Sequence, residues 1–120
     1  MIDHISLHVK NYKKSKAFYL EALKPLGYEL VMEFPNIGGF GAKGKPDFWI
    51  EEHASVAKTH IAFGVKRHKE VDEFYKAALK AGGRDNGKPG LRPHYHKDYY
   101  AAFVFDLDGN NIEAVSHKKG

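Results

Sequence analysis

Shifted by 56 residues, the chain aligns with itself: His4-Ile5-Ser6-Leu7-His8-Val9-Lys10 falls on His60-Ile61-Ala62-Phe63-Gly64-Val65-Lys66. The match runs on without a gap, pairing Lys13 with Lys69, Phe18-Tyr19 with Phe74-Tyr75, Ala22-Leu23-Lys24 with Ala78-Leu79-Lys80, and Gly27 with Gly83. An internal repeat of this length fixes the architecture before any single element is read. Two copies account for all 120 residues, and a unit of that size buries too little surface to be secure alone. The halves are therefore expected to fold against each other as a single domain over residues 1–120, with module one at about 1–56 and module two at about 57–120.

Each half reads the same way. Ile5, Leu7 and Val9 alternate with His4, Ser6 and His8, the period of a half-buried strand. Phe18, Ala22, Leu23 and Leu26 then recur at helical spacing, and Pro25 with Gly27 marks the helix end. The second copy repeats this with Ile61, Phe63 and Val65, then Val71, Phe74, Tyr75, Ala78 and Leu79, closed by Gly82-Gly83. Three strand-like runs follow each helix: 28–33, 37–42 and 47–51 in the first half, and a short run near Arg84, 99–106 and 110–116 in the second. Asp108-Gly109 supplies the positive φ of a tight turn between the last two. The pattern predicts an α+β fold of two βαβββ modules in tandem. The stretch Asn86–Asp98 is expected to be a long irregular loop forming a lid or rim.

Charge and composition narrow the function. The net charge of +4 invites a nucleic-acid reading, but sixteen of the nineteen basic residues are lysines spread along the chain, so a solvated surface is expected and no nucleic-acid partner. A mean hydropathy of −0.53 and the lack of a long apolar run give no membrane-spanning segment. The N-terminus enters a strand pattern at once, without the features of a signal peptide, which makes the cytoplasm the expected location. With no cysteine, disulfides and thiolate sites are excluded, and any metal must be held by imidazole and carboxylate.

The repeat also equates polar residues. His4 matches His60. If the longer second half absorbs six extra residues, Glu51 matches Glu113. Strand alternation turns Ile5, Ile61, Ile50 and Ile112 toward the helices, which sends His4, His60, Glu51 and Glu113 to the opposite, concave face. Two imidazoles and two carboxylates form a ligand set for a divalent metal such as zinc, nickel, manganese or ferrous iron. A one-residue offset of that strand would put Glu52 inward instead of Glu51. His8 shares the face of His4, and Trp49 that of Glu51, so both are candidates for the pocket wall. Leu91-Arg92-Pro93-His94-Tyr95-His96, followed by Tyr99-Tyr100, looks like a rim of hydrogen-bonding rings. From it His94, His96 and Tyr100 are candidate substrate contacts, with Arg92, whose planar fork suits a carboxylate or phosphate.

At Asp3-His4-Ile5-Ser6-Leu7-His8-Val9 with Phe18-Tyr19, at Thr59-His60-Ile61-Ala62-Phe63, and at Asp106-Leu107-Asp108-Gly109-Asn110-Asn111-Ile112-Glu113-Ala114-Val115, the sequence resembles the vicinal oxygen chelate superfamily. That superfamily includes glyoxalase I, extradiol dioxygenases, fosfomycin-resistance enzymes and bleomycin-resistance proteins. The resemblance covers essentially the whole chain and implies modules forming a curved mixed sheet around a central cavity. It implies His4, His60 and Glu113 as metal ligands, with Glu51 as the fourth ligand of glyoxalase-like members. The implied chemistry is Lewis-acid catalysis on a small substrate chelated through adjacent oxygens, with Glu51 or Glu113 as general base. The alternatives are an extradiol-type dioxygenase and a metal-free drug-binding module. Members often dimerise, so a homodimer is also implied.

Overall fold

The computed structural model describes residues 1–120. Its element order is β1 (Ile5–Val9), α1 (Tyr12–Ala22), β2 (Glu29–Phe34), β3 (Ile37–Ala42), β4 (Lys45–Glu52), β5 (His60–Val65), α2 (His68–Lys80), β6 (Arg84–Leu91), β7 (Tyr100–Phe105) and β8 (Asn111–Ser116), with a short 3-10 turn at Lys24–Leu26 after α1. The strands form two four-stranded mixed sheets with the same topology, β1-β4-β3-β2 and β5-β8-β7-β6. In each, the first strand lies parallel to the last, and the remaining pairs are antiparallel. The tandem βαβββ reading is correct, and the sheets curve without closing on themselves.

Local chemistry places the boundaries. The Asn11 side chain accepts the Lys14 N–H at 3.0 Å and caps α1, and the Glu70 carboxylate accepts the Arg67 N–H at 3.2 Å at the start of α2. Gly109, at φ 85°, turns the chain between β7 and β8. Asp106 organises this turn: its buried carboxylate accepts the N–H groups of Asp108 and Asn110 and the Asn110 side-chain amide at 2.8–2.9 Å.

The apolar residues of both strand sets meet the helices. Leu7, Val9, Phe40, Phe48 and Ile50 from the first sheet and Ala102, Val104, Ile112 and Ala114 from the second are buried with Phe18, Tyr19 and Phe74 in one core. Phe48 and Phe63 touch edge to face across the two modules, with ring centres 5.3 Å apart. The buried Tyr19 hydroxyl donates to Asp106 at 2.5 Å, fastening α1 to the β7–β8 turn. No helix is long and apolar enough to cross a membrane.

One expectation needs correction. The first part of residues 86–98 is not irregular: β6 runs on to Leu91 with register shifts on either side of Gly87. Only the segment after Leu91 is loop, and it closes on itself, with the Arg92 N–H donating to the Tyr99 carbonyl at 2.7 Å and the Tyr95 N–H to the Arg92 carbonyl at 3.0 Å.

Candidate functional site

The second sheet carries the better-defined centre. His60 opens β5, and Glu113 lies beside Ala62 on β8, so ladder geometry puts both on the face away from the helices. His60 Nε2 and Glu113 Oε1 are 2.8 Å apart. Glu113 is only 1% exposed, whereas the His60 side chain is 53% exposed. The Tyr99 hydroxyl donates to the other carboxylate oxygen, Oε2. Burial, then the bond to Glu113, pushes the Tyr99 phenol up to about 12. Phe103 pairs with Glu113 across the β7–β8 ladder and lies against the His60 ring.

Asn111 pairs with His60 in the ladder, and its buried Oδ1 has no hydrogen-bond partner. A buried acceptor left unpaired costs about 1–3 kcal/mol. The donor set and this free acceptor fit a divalent ion held by imidazole and carboxylate.

The first sheet departs from the expected symmetry. Ile5 pairs with Phe48, and its repeat partner Ile61 pairs with Ile112. Phe48 is therefore the counterpart of Ile112, and Trp49, not Glu51, is the counterpart of Glu113. The equivalence between Glu51 and Glu113 is off by two residues along the strand. Trp49 lies beside Ser6 and opposite Gly39, where an added Cβ would come within 2.9 Å of the indole. The Phe34 ring stacks on it from the outside.

Glu51 is opposite His8 in the β1–β4 ladder. Its Oε2 lies 2.5 Å from His53 Nε2, and His53 stacks on His8 with ring centres 3.7 Å apart. Glu52 instead turns to the helix side and accepts the Tyr12 N–H at 2.9 Å. His4 sits just before β1, where its Nδ1 lies 2.8 Å from the Asp3 carboxylate and its side chain is 56% exposed. His60 and Glu113 are thus in contact, while His4 and Glu51 are each engaged by other partners.

The rim residues divide as well. Tyr100 belongs to the opposite face from the one expected: its hydroxyl donates to Asp72 of α2 at 2.6 Å, and its ring stacks on His68. Alternation gives its neighbour Tyr99 the inward position. Arg92 spends two nitrogens on the carbonyls of Gly90 and Lys88, both at 2.7 Å, and its guanidinium lies over Phe103. His94 packs on exposed Tyr95, and His96 lies near His117, which also meets Tyr99 edge to face. Tyr99 and His53 are the residues missed as contacts. The tyrosine pair signalled the first, since one of two adjacent strand residues must face each way. The second lies beyond the strand pattern that gave Glu51.

A cleft of about 410 Å³ opens between β1 and β5, lined by Ile5, Tyr28, Phe48, Ile61 and Phe63. Of the candidate site residues, only His60 reaches it.

The fold and its imidazole–carboxylate face define a tandem βαβββ domain built to present polar groups on a curved sheet. The family model of the Glyoxalase/Bleomycin resistance protein/Dioxygenase superfamily matches residues 1–114, and the chain belongs to that superfamily. Among solved structures, it is similar to a glyoxalase/bleomycin resistance protein from Albidiferax ferrireducens T118, with 25% identity, a TM-score of 0.81, and 95% of this chain and 96% of that one covered. It also shares its fold with a lactoylglutathione lyase from Agrobacterium tumefaciens, at 18% identity and a TM-score of 0.71, covering 97% of this chain and 92% of that one. A glyoxalase I mutant from Zea mays matches at 21% identity and a TM-score of 0.71, covering 95% of this chain and 46% of that one. Comparison with curated proteins gave no match.

Proposed function

We propose that the chain is a metal-dependent enzyme of glyoxalase type, a lyase or isomerase acting on a small substrate held through two adjacent oxygens. The observation that carries this reading is the contact of His60 with the water-excluded carboxylate of Glu113, whose second oxygen is held by Tyr99. His60 and Glu113, joined by His4 from the start of β1, are the residues that would hold a divalent ion. Such an ion supplies Lewis acidity toward neighbouring substrate oxygens. Glu113 is the carboxylate placed to take up and return a proton at Oε1, while Tyr99 fixes its orientation through Oε2. Trp49 gives the opposite module an apolar wall.

A second reading draws on Trp49. With indole in the position equivalent to Glu113, the ligand set is two histidines and one carboxylate, which also suits ferrous iron and an extradiol-type dioxygenase. Elemental mass spectrometry on the untagged chain beside His60→Ala tests both readings. The expected result is about one metal ion per chain fewer in the variant than in the parent. Zinc or nickel with turnover of 2-oxoaldehyde adducts supports the isomerase, and iron with oxygen uptake on catechols supports the dioxygenase. A parent chain that takes up none of these metals removes both and leaves a metal-free binding module.

A further inference from the structure

Glu51, two residues out of step with Glu113, belongs to a different constellation. His8, Glu51 and His53 each offer a ligand atom, and those atoms all lie within 4.8 Å of one another. We propose that these three side chains form a second divalent-metal site, separate from the His60–Glu113 pair.

The three residues come from well-fixed backbone. His8 and Glu51 are direct partners in the parallel β1–β4 ladder, so their side chains project side by side from one face. His53 follows β4 and is pinned there by its N–H, which donates to the Val9 carbonyl at 2.8 Å. That bond carries its ring back over His8, where the two imidazoles stack at 3.7 Å and 16° between planes. The stack keeps both imidazoles beside Glu51, with the ligand atoms of the three residues within 4.8 Å of one another. Zinc–nitrogen bonds of about 2.0–2.1 Å need the two imidazole nitrogens a little over 3 Å apart, so modest side-chain rotations close the site without moving a strand. Glu51 supplies the charge that offsets the ion. His8 is exposed and the other two are half-buried, which leaves a path for entry and open coordination positions.

The fold does not demand this cluster. In the second module the residues at the places of His8 and Glu51 are Gly64 and Val115, paired with each other in the equivalent ladder. An ion bound here would clamp the start of the inter-module connection, at His53, onto the first sheet.

Zn2+ binding to the metal-stripped, untagged full chain tests the proposal, with equilibrium dialysis and elemental mass spectrometry as the readout. The Glu113→Gln background isolates this cluster from the pair on the second sheet. In that background one Zn2+ per chain is expected. Adding His53→Ala, or separately His8→Ala, should weaken its binding more than about 100-fold, since even the loss of an outer partner of a metal ligand costs about 10–100-fold. Circular dichroism accompanies each variant, and exposed His8 provides the substitution least able to disturb folding. The proposal is overturned if Glu113→Gln binds no Zn2+, or if folded His8→Ala in that background binds it as tightly as Glu113→Gln alone.

Discussion

The Tyr99–Glu113 bond makes a sharp prediction, because the acceptor is a carboxylate with almost no access to water and only two partners. Tyr99→Phe keeps the ring, which meets Tyr95 and His117 edge to face, and deletes only the hydroxyl. A hydrogen bond to a charged group contributes about 1.5–3 kcal/mol. Unfolding entropy of about 2.1 cal/mol/K per residue, taken over 120 residues, gives about 0.25 kcal/mol/K, so the variant should melt about 6–12 °C lower. Tyr95→Phe is the control: Tyr95 is 62% exposed, and its loss should stay within about 0.5 kcal/mol. The assay is thermal denaturation followed by circular dichroism at pH 7, with Zn2+ affinity measured alongside. Affinity at the His60–Glu113 pair should fall about 10–100-fold, because an outer partner that orients a ligand is lost. A Tyr99→Phe chain that melts with the Tyr95→Phe control would show that Tyr99 does not hold Glu113, and the reading of the site would fail with it.

Three further outcomes follow from the same geometry. Gly39→Ala should destabilise by about 1–3 kcal/mol through overpacking, because the new methyl meets the Trp49 ring at 2.9 Å, and indole fluorescence should shift as the ring is displaced; an unchanged spectrum and melting point would contradict that contact. Tyr19→Phe removes a bond to Asp106, which keeps three other donors, so it should cost stability near the lower end of the same range while leaving Zn2+ affinity within about twofold; an affinity loss matching that of Tyr99→Phe would refute the separation of the two carboxylates. Alkaline stability is the third: burial, then bonds to Glu113 and Asp72, raises Tyr99 and Tyr100 to about 12, and burial and carboxylate partners also raise Tyr12, Tyr19 and Tyr28. An unfolded phenol titrates near about 10. The folded chain keeps these protons longer, so their stabilisation is complete below about pH 10 and is lost as pH climbs through about 12; a urea midpoint that stays flat from pH 9 to pH 11.5 would contradict the shifts.

The repeat made the fold legible, because eleven identities between residues 3–27 and 59–83 forced both halves into one pattern, and strand alternation then turned His60 and Glu113 to a common face. What alternation leaves open is how far one strand slides along its neighbour. In the first sheet, bulges lie between Leu30 and Met32 and between Phe40 and Gly41, and in the second they flank Gly87. Each shifts register by residues that no hydrophobic pattern marks. A slip of two preserves the face, so Glu51 still points away from the helices, yet it meets His8 and His53 instead of standing where Glu113 stands. A slip of one reverses the face, which is why Tyr99 reaches Glu113 and Tyr100 reaches α2.

The two halves have kept in common what the core needs and have diverged where it does not constrain them. Phe18 and Phe74 are both buried beneath their sheets, and any change there would open the shared core. On the far face the first sheet sets an indole over Gly39, and the second sets a carboxylate between an imidazole and a phenol. Glu113 can be a buried charge because Phe103, His60 and Tyr99 surround it with one ring and two hydrogen-bonding groups. Trp49 stands in the matching place, half-buried and stacked by Phe34. An unpaired buried carboxylate costs several kcal/mol, so the Tyr99 hydroxyl is part of what lets the second module carry a glutamate at this buried position. The asymmetry of the site therefore follows from where the phenol stands, and the phenol stands there because β7 is entered through a closed loop that the first module lacks.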